Sequence, residues 1–289
     1  MRYYIDQETL FLRGAFRAAS TGSSGGIRDV TTVFLHQAGG DDPADPARQI
    51  SLVAAAHGVS SQYFGLLVKG GRGRLCIFQY DFVTVFLAAD IGNGKEGRIT
   101  ALVFSGGGLS DGALLGGILT AGRSMTAALV KMGIAEDKSL QGDVIVASEG
   151  QAVHEEGGPG TAVGDRIRAC ILHGIPESVK RSGGKAERRR PGLFVFSRFG
   201  GEHWVEWNPE GCPYYPCHFE GQRCDYCYCP FYPCREEDLG QWVESSGGGQ
   251  VWNCSRCTLL HEPAVASYLK RNPEATLGEL RVVRKKSTG

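Results

Sequence analysis

The most chemically loaded side chains of this sequence, thiols and imidazoles, gather towards one end of it. From Cys212 the order runs Cys212-x4-Cys217-His218-x5-Cys224-x2-Cys227-x-Cys229-x4-Cys234-x19-Cys254-x2-Cys257-x3-His261. Eight of the 10 cysteines fall in this stretch. The pairs Cys224/Cys227 and Cys254/Cys257 have the spacing at which a tight turn aims two thiolates at one ion. A closed tetrahedral zinc site takes four Cys or His ligands. The ten candidates Cys212, Cys217, His218, Cys224, Cys227, Cys229, Cys234, Cys254, Cys257 and His261 are therefore enough for two zinc ions. An iron–sulfur cluster is the competing reading, because Cys227 to Cys234 is crowded with thiolates. The histidines and the late Cys-x2-Cys-x3-His favour zinc. Donors in such excess, with Tyr214, Tyr215, Tyr226, Tyr228, Phe231 and Tyr232 among them, point to a structural metal that folds a segment too small to hold itself together. His203, beside Trp204, reads as a packing residue, and the isolated Cys76 and Cys170 as buried thiols.

A chain of 289 residues can bury a full apolar core without staples, so the cysteine cluster needs a reason of its own. Lys plus Arg and Asp plus Glu balance at 31 each, which disfavours nucleic acid and a membrane surface as partners. No apolar run reaches the roughly 18 residues that a membrane span requires, and Met1 to Glu8 is too acidic for a signal sequence. The expected location is the cytoplasm, where thiols stay reduced and clustered cysteines read as metal ligands. The 42 glycines, about twice ordinary usage, fit tight turns and close backbone approach around a bulky ligand. A homo-oligomer is compatible with the sequence.

The elements that must position other chemistry lie before the cysteines. Thr31–His36, Tyr63–Val68, Leu75–Ala89, Ile99–Ser105 and Asp143–Ala147 predict strands, the third being one bent strand or a hairpin. Between the last two, Ser110 predicts a helix cap. Ala113, Leu114, Ile118, Leu119, Ala121, Met125, Ala128 and Leu129 follow at helical spacing, with Gly133 as the stop. A second helix is expected over Val163–Leu172. The fold class is α/β or α+β: a mixed-sheet domain with covering helices over residues 1–176, then a basic linker over 177–192, then a small cysteine-rich metal-binding domain over 193–289. The run Lys180 to Arg190 reads as a solvated linker charge.

Two stretches resemble known families. Gly211-Cys212-Pro213-Tyr214-Tyr215-Pro216-Cys217-His218, Cys224-Asp225-Tyr226-Cys227-Tyr228-Cys229-Pro230-Phe231-Tyr232-Pro233-Cys234 and Cys254-Ser255-Arg256-Cys257 resemble the cysteine-rich small domain, an archaeal module attached to proteins of cobamide metabolism. Residues 1–176 resemble the adenosylcobinamide amidohydrolase family. The likeness rests on Ile99 to Phe104, Leu109-Ser110-Asp111-Gly112-Ala113-Leu114, Ile118 to Ala121 and Thr126 to Leu129. Ser20, Gly25-Gly26, Gly65-Leu66-Leu67, Asn93, Asp143 to Ala147 and Gly164 follow in the family's order. The resemblance implies a corrinoid partner and hydrolysis of the aminopropanol amide of adenosylcobinamide, giving adenosylcobyric acid for salvage. The chain departs from the family at Gly122-Arg123-Ser124-Met125, where a Glu and a Lys are missing, and at Gly158-Pro159-Gly160-Thr161, where a His is missing. Ser139-Leu140-Gln141-Gly142-Asp143 keeps only the aspartate of its motif.

Amide hydrolysis needs an activated water or nucleophile, a donor for the oxyanion and a proton for the leaving amine. Asp143 is the acid–base candidate by correspondence, and Asn93 the candidate donor, although an Asn beside Gly94 also serves a turn. Ser20 and Thr120 are hydroxyls without a base identifiable from sequence. Asp111 reads as a helix-terminus residue, and His154 and His173 as structural. A non-catalytic corrinoid-binding or sensing protein with structural zinc sites is the alternative.

Overall fold

The computed structural model describes residues 2–39, 44–59, 61–69, 74–91, 96–134, 139–182, 191–197, 201–207, 212, 215–226, 229–244, 250–272 and 275–287. The chain divides into two compact units: Tyr3–Trp207, and one made chiefly of Asn208–Gly289.

The larger unit is built on a ten-stranded mixed sheet in the order β12-β11-β5-β6-β7-β9-β2-β3-β4, with β1 paired to β2. Its strands are β1 (Arg2–Asp6), β2 (Thr9–Ser20), β3 (Gly26–Ala38), β4 (Tyr63–Lys69), β5 (Cys76–Tyr80), β6 (Val83–Ile91), β7 (Glu96–Ser105), β9 (Ser139–Glu149), β11 (Gly192–Ser197) and β12 (His203–Trp207). The short β8 (Gly108–Leu109) and β10 (Ala152–His154) pair with each other outside it. The expected run Leu75–Ala89 is a hairpin, turning at Asp81 with φ 51°. The fold is α/β, with parallel pairs β7–β9, β3–β4 and β5–β11 set among antiparallel neighbours.

Three helices cover the sheet: α1 (Pro46–Ala56), α2 (Asp111–Lys131) and α3 (Ala162–Ser182). Alternation along the strands decides what each face buries. Val85, Leu87, Ala101, Val103, Val144 and Val146 meet Leu114, Met125, Ile167 and Ile171 of α2 and α3 in the main core. On another face Phe11, Phe34 and Leu67 pack with Ile50 and Ala54 of α1. The sheet also curls upon itself. The Thr100 hydroxyl of β7 donates to the Leu67 carbonyl of β4 at 3.2 Å, although the two strands are far apart in sheet order.

Ser110 caps α2 as its sequence predicts, its hydroxyl accepting the Ala113 N–H at 3.1 Å, and Gly133 closes the helix with φ 68°. This helix is apolar enough by composition to pass for a membrane span, with mean hydropathy 1.4, which corrects the expectation that no such run exists. Half of that stretch is buried within the fold, as in a core helix. The second helix does not end at Leu172 but continues through Pro176 to Ser182. Burial of Ile175 and Ser178 holds it, the Ser178 hydroxyl donating to Arg74 O at 2.7 Å and accepting from Ala89 N at 2.8 Å. The first residues of the expected linker are therefore helical, and 183–190 lie outside the described residues. Beyond them β11 and β12 join the large sheet, so this unit extends past the expected start of the small domain at 193.

The smaller unit holds the hairpin β13 (Gln241–Glu244) and β14 (Gln250–Asn253), a 3-10 turn over Leu259–His261, and helices α4 (Pro263–Arg271) and α5 (Leu277–Ser287). It has an apolar core of its own, built on Leu259, Leu260, Val265, Leu269 and Leu280 with Tyr226 and Phe231.

Candidate functional site

Asp143 lies near the start of β9, half-buried, paired in register with Thr100 of β7. On β9 the even positions Val144 and Val146 enter the helix-covered core, so Asp143 belongs to the inner face of the curl with Ile145 and Ala147. Ser20, at the end of β2, pairs with Ile145 and shares that face. Its hydroxyl accepts the Gly22 N–H at 3.1 Å, so its own proton stays available to donate. Thr21 locks the two strands: its N–H donates to Val144 O at 2.9 Å and its hydroxyl oxygen accepts Val144 N–H at 2.9 Å.

Glycine makes this end of the sheet tight. A Cβ at Gly25 would stand 2.4 Å from the Ser20 carbonyl, and one at Gly22 2.6 Å from Leu66 Cδ2. Ser20, Gly25, Gly65-Leu66-Leu67 and Asp143, scattered through the sequence, are thus brought to one end of one sheet. Asn93 lies outside the described residues; the strand ends that flank it, Ile91 and Gly97, pair with each other, and Gly97 pairs with Leu140 at this same end. Met125 occupies the helical side, buried, its sulfur 3.4 Å from where a Gly142 Cβ would be. At the sequence position where the resemblance implies an amine the chain thus carries an apolar side chain, packed on the helical side of β9 against Gly142.

The other polar candidates are engaged elsewhere. Thr120 is buried and donates to Gly157 O at 2.9 Å, fastening the 155–161 segment to α2. Asp111 receives both guanidinium arms of Arg17, at 2.8 and 2.7 Å, which hold its carboxyl below the usual range. His154 stacks on Phe82 at 4.9 Å, and His173 on Trp204 at 5.2 Å, where burial lowers its basicity. His203 is exposed on β12 of the larger unit, so it does not pack as expected. Cys76 and Cys170 are 0% exposed, and burial raises both thiols, Cys76 to about 12.

The metal candidates fall into two neighbourhoods of the smaller unit. Burial pushes the Cys229 thiol up to about 12, and the nearby charges of Cys257, Cys254 and Cys234 add to the effect. Cys254 and Cys257 are raised likewise by burial and by the neighbouring thiols. These four and the rings of His218 and His261 line a cavity of about 200 Å³. Cys217 and Cys224 both accept from the side-chain amide of Gln222, at 3.2 and 3.3 Å. The rings of His218 and His261 lie 4.6 Å apart. The Cys212 carbonyl accepts the Tyr215 N–H at 3.2 Å, and Cys227 lies outside the described residues. Among the described residues, no three His, Cys, Asp or Glu already form a group able to hold an ion. The donor chemistry nonetheless suits a soft or borderline cation: half-buried thiols in one another's field, too costly to ionise together without a counter-charge. Gln222 is the residue that sequence reasoning missed, since a lone glutamine among cysteines carries no spacing signal.

The molecule is thus an α/β unit joined to a cysteine-rich small domain: residues 203–284 match the family model of that description, a match beginning within β12. Over 199 residues, 63% of this chain and 100% of the relative, the chain is 29% identical to adenosylcobinamide amidohydrolase of Methanosarcina mazei. An uncharacterized protein of Methanocaldococcus jannaschii is 52% identical over 60 residues, 21% of this chain and 50% of that protein. A protein of Methanothermobacter thermautotrophicus named "Probable cobalt-factor III C(17)-methyltransferase" is 48% identical over 64 residues, 22% of this chain and 17% of that protein. The chain thus spans all of the first relative, half of the second and a small part of the third. No solved structure matches.

Proposed function

We propose that the larger unit acts on a corrinoid and hydrolyses the aminopropanol amide of adenosylcobinamide, releasing adenosylcobyric acid. The observation that carries this reading is the gathering of Ser20, Thr100 and Asp143 on the inner face of the curled sheet, at its glycine-tightened end. The chemistry adds water across one C–N bond. Asp143 takes the proton from the attacking water and returns one to the leaving amine, while Asn93, or backbone N–H groups of the turn after Ser20, receive the oxyanion. The likeness to an amidohydrolase along that relative's whole length supports the substrate class, and the printed name of the third relative, a cobalt-factor methyltransferase, supports a corrinoid-related role. We place the protein in the cytoplasm. The smaller unit holds zinc, two ions in all, as structural metal, with ligands drawn from the ten Cys and His candidates.

A second reading, a corrinoid-binding protein without turnover, is favoured by Met125, a buried thioether at the sequence position where the amidohydrolase pattern has an amine. One experiment separates the two. Purified protein is mixed with adenosylcobinamide, followed by absorption spectroscopy and by mass spectrometry for adenosylcobyric acid. Release of the acid establishes the hydrolase, a spectral shift without release establishes the binder, and neither result removes both.

A further inference from the structure

Gln222 is 4% exposed in a segment otherwise short of buried polar side chains. Its carbonyl oxygen accepts the backbone N–H of His218 at 2.9 Å and of Phe219 at 3.3 Å. A backbone N–H can only donate, so this end of the amide is the oxygen, and the nitrogen must face the sulfurs of Cys217 and Cys224. Both amide hydrogens are then directed at sulfur, and both sulfurs act as acceptors, a weak role for a thiol that strengthens when it ionises to bind a metal. A second fixture lies alongside. His261, 7% exposed, has Nδ1 2.9 Å from the Arg223 carbonyl, and its own carbonyl accepts the Arg223 N–H at 2.7 Å. A carbonyl can only accept, so Nδ1 carries the hydrogen and Nε2 keeps its lone pair, the arrangement by which an outer partner prepares an imidazole for a metal.

We propose that Cys217, His218, Cys224 and His261 form a mixed thiolate–imidazole site for one divalent cation of the zinc class. Its donors are distinct from the thiol set Cys229, Cys234, Cys254 and Cys257, whose cavity its two imidazoles also border, and Gln222 is its positioning residue. The proposal rests on the reading that the smaller unit binds metal, and it assigns the partition of donors. Because the four donors are paired and oriented without being gathered on one point, binding draws the two imidazoles onto a thiolate pair that Gln222 already holds together. Two sulfurs accepting hydrogen bonds from one amide repel each other as they ionise, and the cation is what offsets that repulsion.

The test uses the full chain, prepared anaerobically and loaded with Zn²⁺ or with Co²⁺ as a spectroscopic probe. Metal content is read by elemental analysis, affinity by competition with a chromophoric chelator. Gln222→Leu and Gln222→Glu are compared with Cys254→Ser. The Glu variant keeps an oxygen for the His218 and Phe219 N–H groups, so the turn stays formed while the donor to sulfur is lost. The expected result is two ions in the parent chain, of which one is held about 10- to 100-fold more weakly in both Gln222 variants. The sulfur-to-Co²⁺ charge-transfer band of that ion moves to lower energy, because a thiolate without its hydrogen bonds is easier to oxidise. Cys254→Ser should weaken the other ion instead. Unchanged affinities and spectra in both Gln222 variants, with the parent chain loaded, overturn the proposal and leave metal binding standing. A parent chain that binds neither ion overturns both.

Discussion

Asp143 is a side chain whose register gives it a role that its neighbours on β9 do not have. Val144 and Val146 are buried under the helices, while Asp143 shares the opposite face with Thr100 and Ser20. If it carries the proton transfers, Asp143→Asn should lower the release of adenosylcobyric acid by about 10²- to 10⁴-fold and leave the corrinoid-induced spectral shift in place. Turnover at the parent rate would remove Asp143 from the chemistry. His173 gives a prediction of a different kind. Burial lowers its basicity, so the folded ring refuses a proton that the unfolded chain accepts near pH 6.5. Its contribution to stability is therefore complete above about pH 6.5 and is lost as the pH falls towards the folded value. The thermal midpoint, followed from pH 8 to pH 5, should drop on acidification. His173→Phe, which keeps an aromatic ring against Trp204, should make that drop shallower, with His36, lowered chiefly by burial, supplying much of what remains.

Among the elements, the closest fit is between α2 and the segment that follows β10. A Cβ on Gly157 would stand 2.1 Å from the Ala113 carbonyl and 2.7 Å from the Gly117 nitrogen, both backbone atoms that cannot step aside. Gly122, on the same helix, is exposed and would meet nothing within 4 Å. Gly157→Ala should cost about 1–3 kcal/mol through forced displacement, whereas Gly122→Ala should gain up to about 1 kcal/mol from helix propensity. Chemical denaturation of the two variants measures both, and equal effects would mean that the close approach does not constrain the fold. The elements legible in the sequence carried their own signals. Helix α2 has a cap, a periodic face and a glycine stop, and β4, β6, β7 and β9 are β-branched or apolar runs. What escaped depended on distant partners. Helix α3 runs through Pro176 because Ser178 is bonded to Arg74 and Ala89. Strands β11 and β12 look like the start of the next domain until Leu193 and Phe194 pair with Ile77 and Phe78. For the site, Asp143 was legible through resemblance, while the partition of the thiols and the part of Gln222 depend on which side chains the chain folds together.

Over the whole molecule, two units of unlike construction share one chain. The larger is held by a sheet and helices whose buried cysteines, Cys76 and Cys170, stand as isolated apolar thiols. The smaller has a modest core of leucines beside a dense set of sulfur and nitrogen donors, and a unit of this size gains much of its stability from any ion that binds only the folded form. Removal of metal should therefore act on one unit alone. At 1,000 times its dissociation constant, a single bound ion adds about 4 kcal/mol. A strong chelator at neutral pH should lower or abolish the thermal transition of Asn208–Gly289 while leaving that of Tyr3–Trp207 in place. Calorimetry on the full chain with and without chelator reads the two transitions, and limited proteolysis identifies the segment that opens. Stepwise return of Zn²⁺ should restore the lost transition in two increments if the donors serve two ions, and in a single increment if all the thiols serve one centre. An unchanged calorimetric trace after complete removal of the metal would mean that the leucine core folds the smaller unit unaided, leaving its cysteines to serve a purpose other than structure.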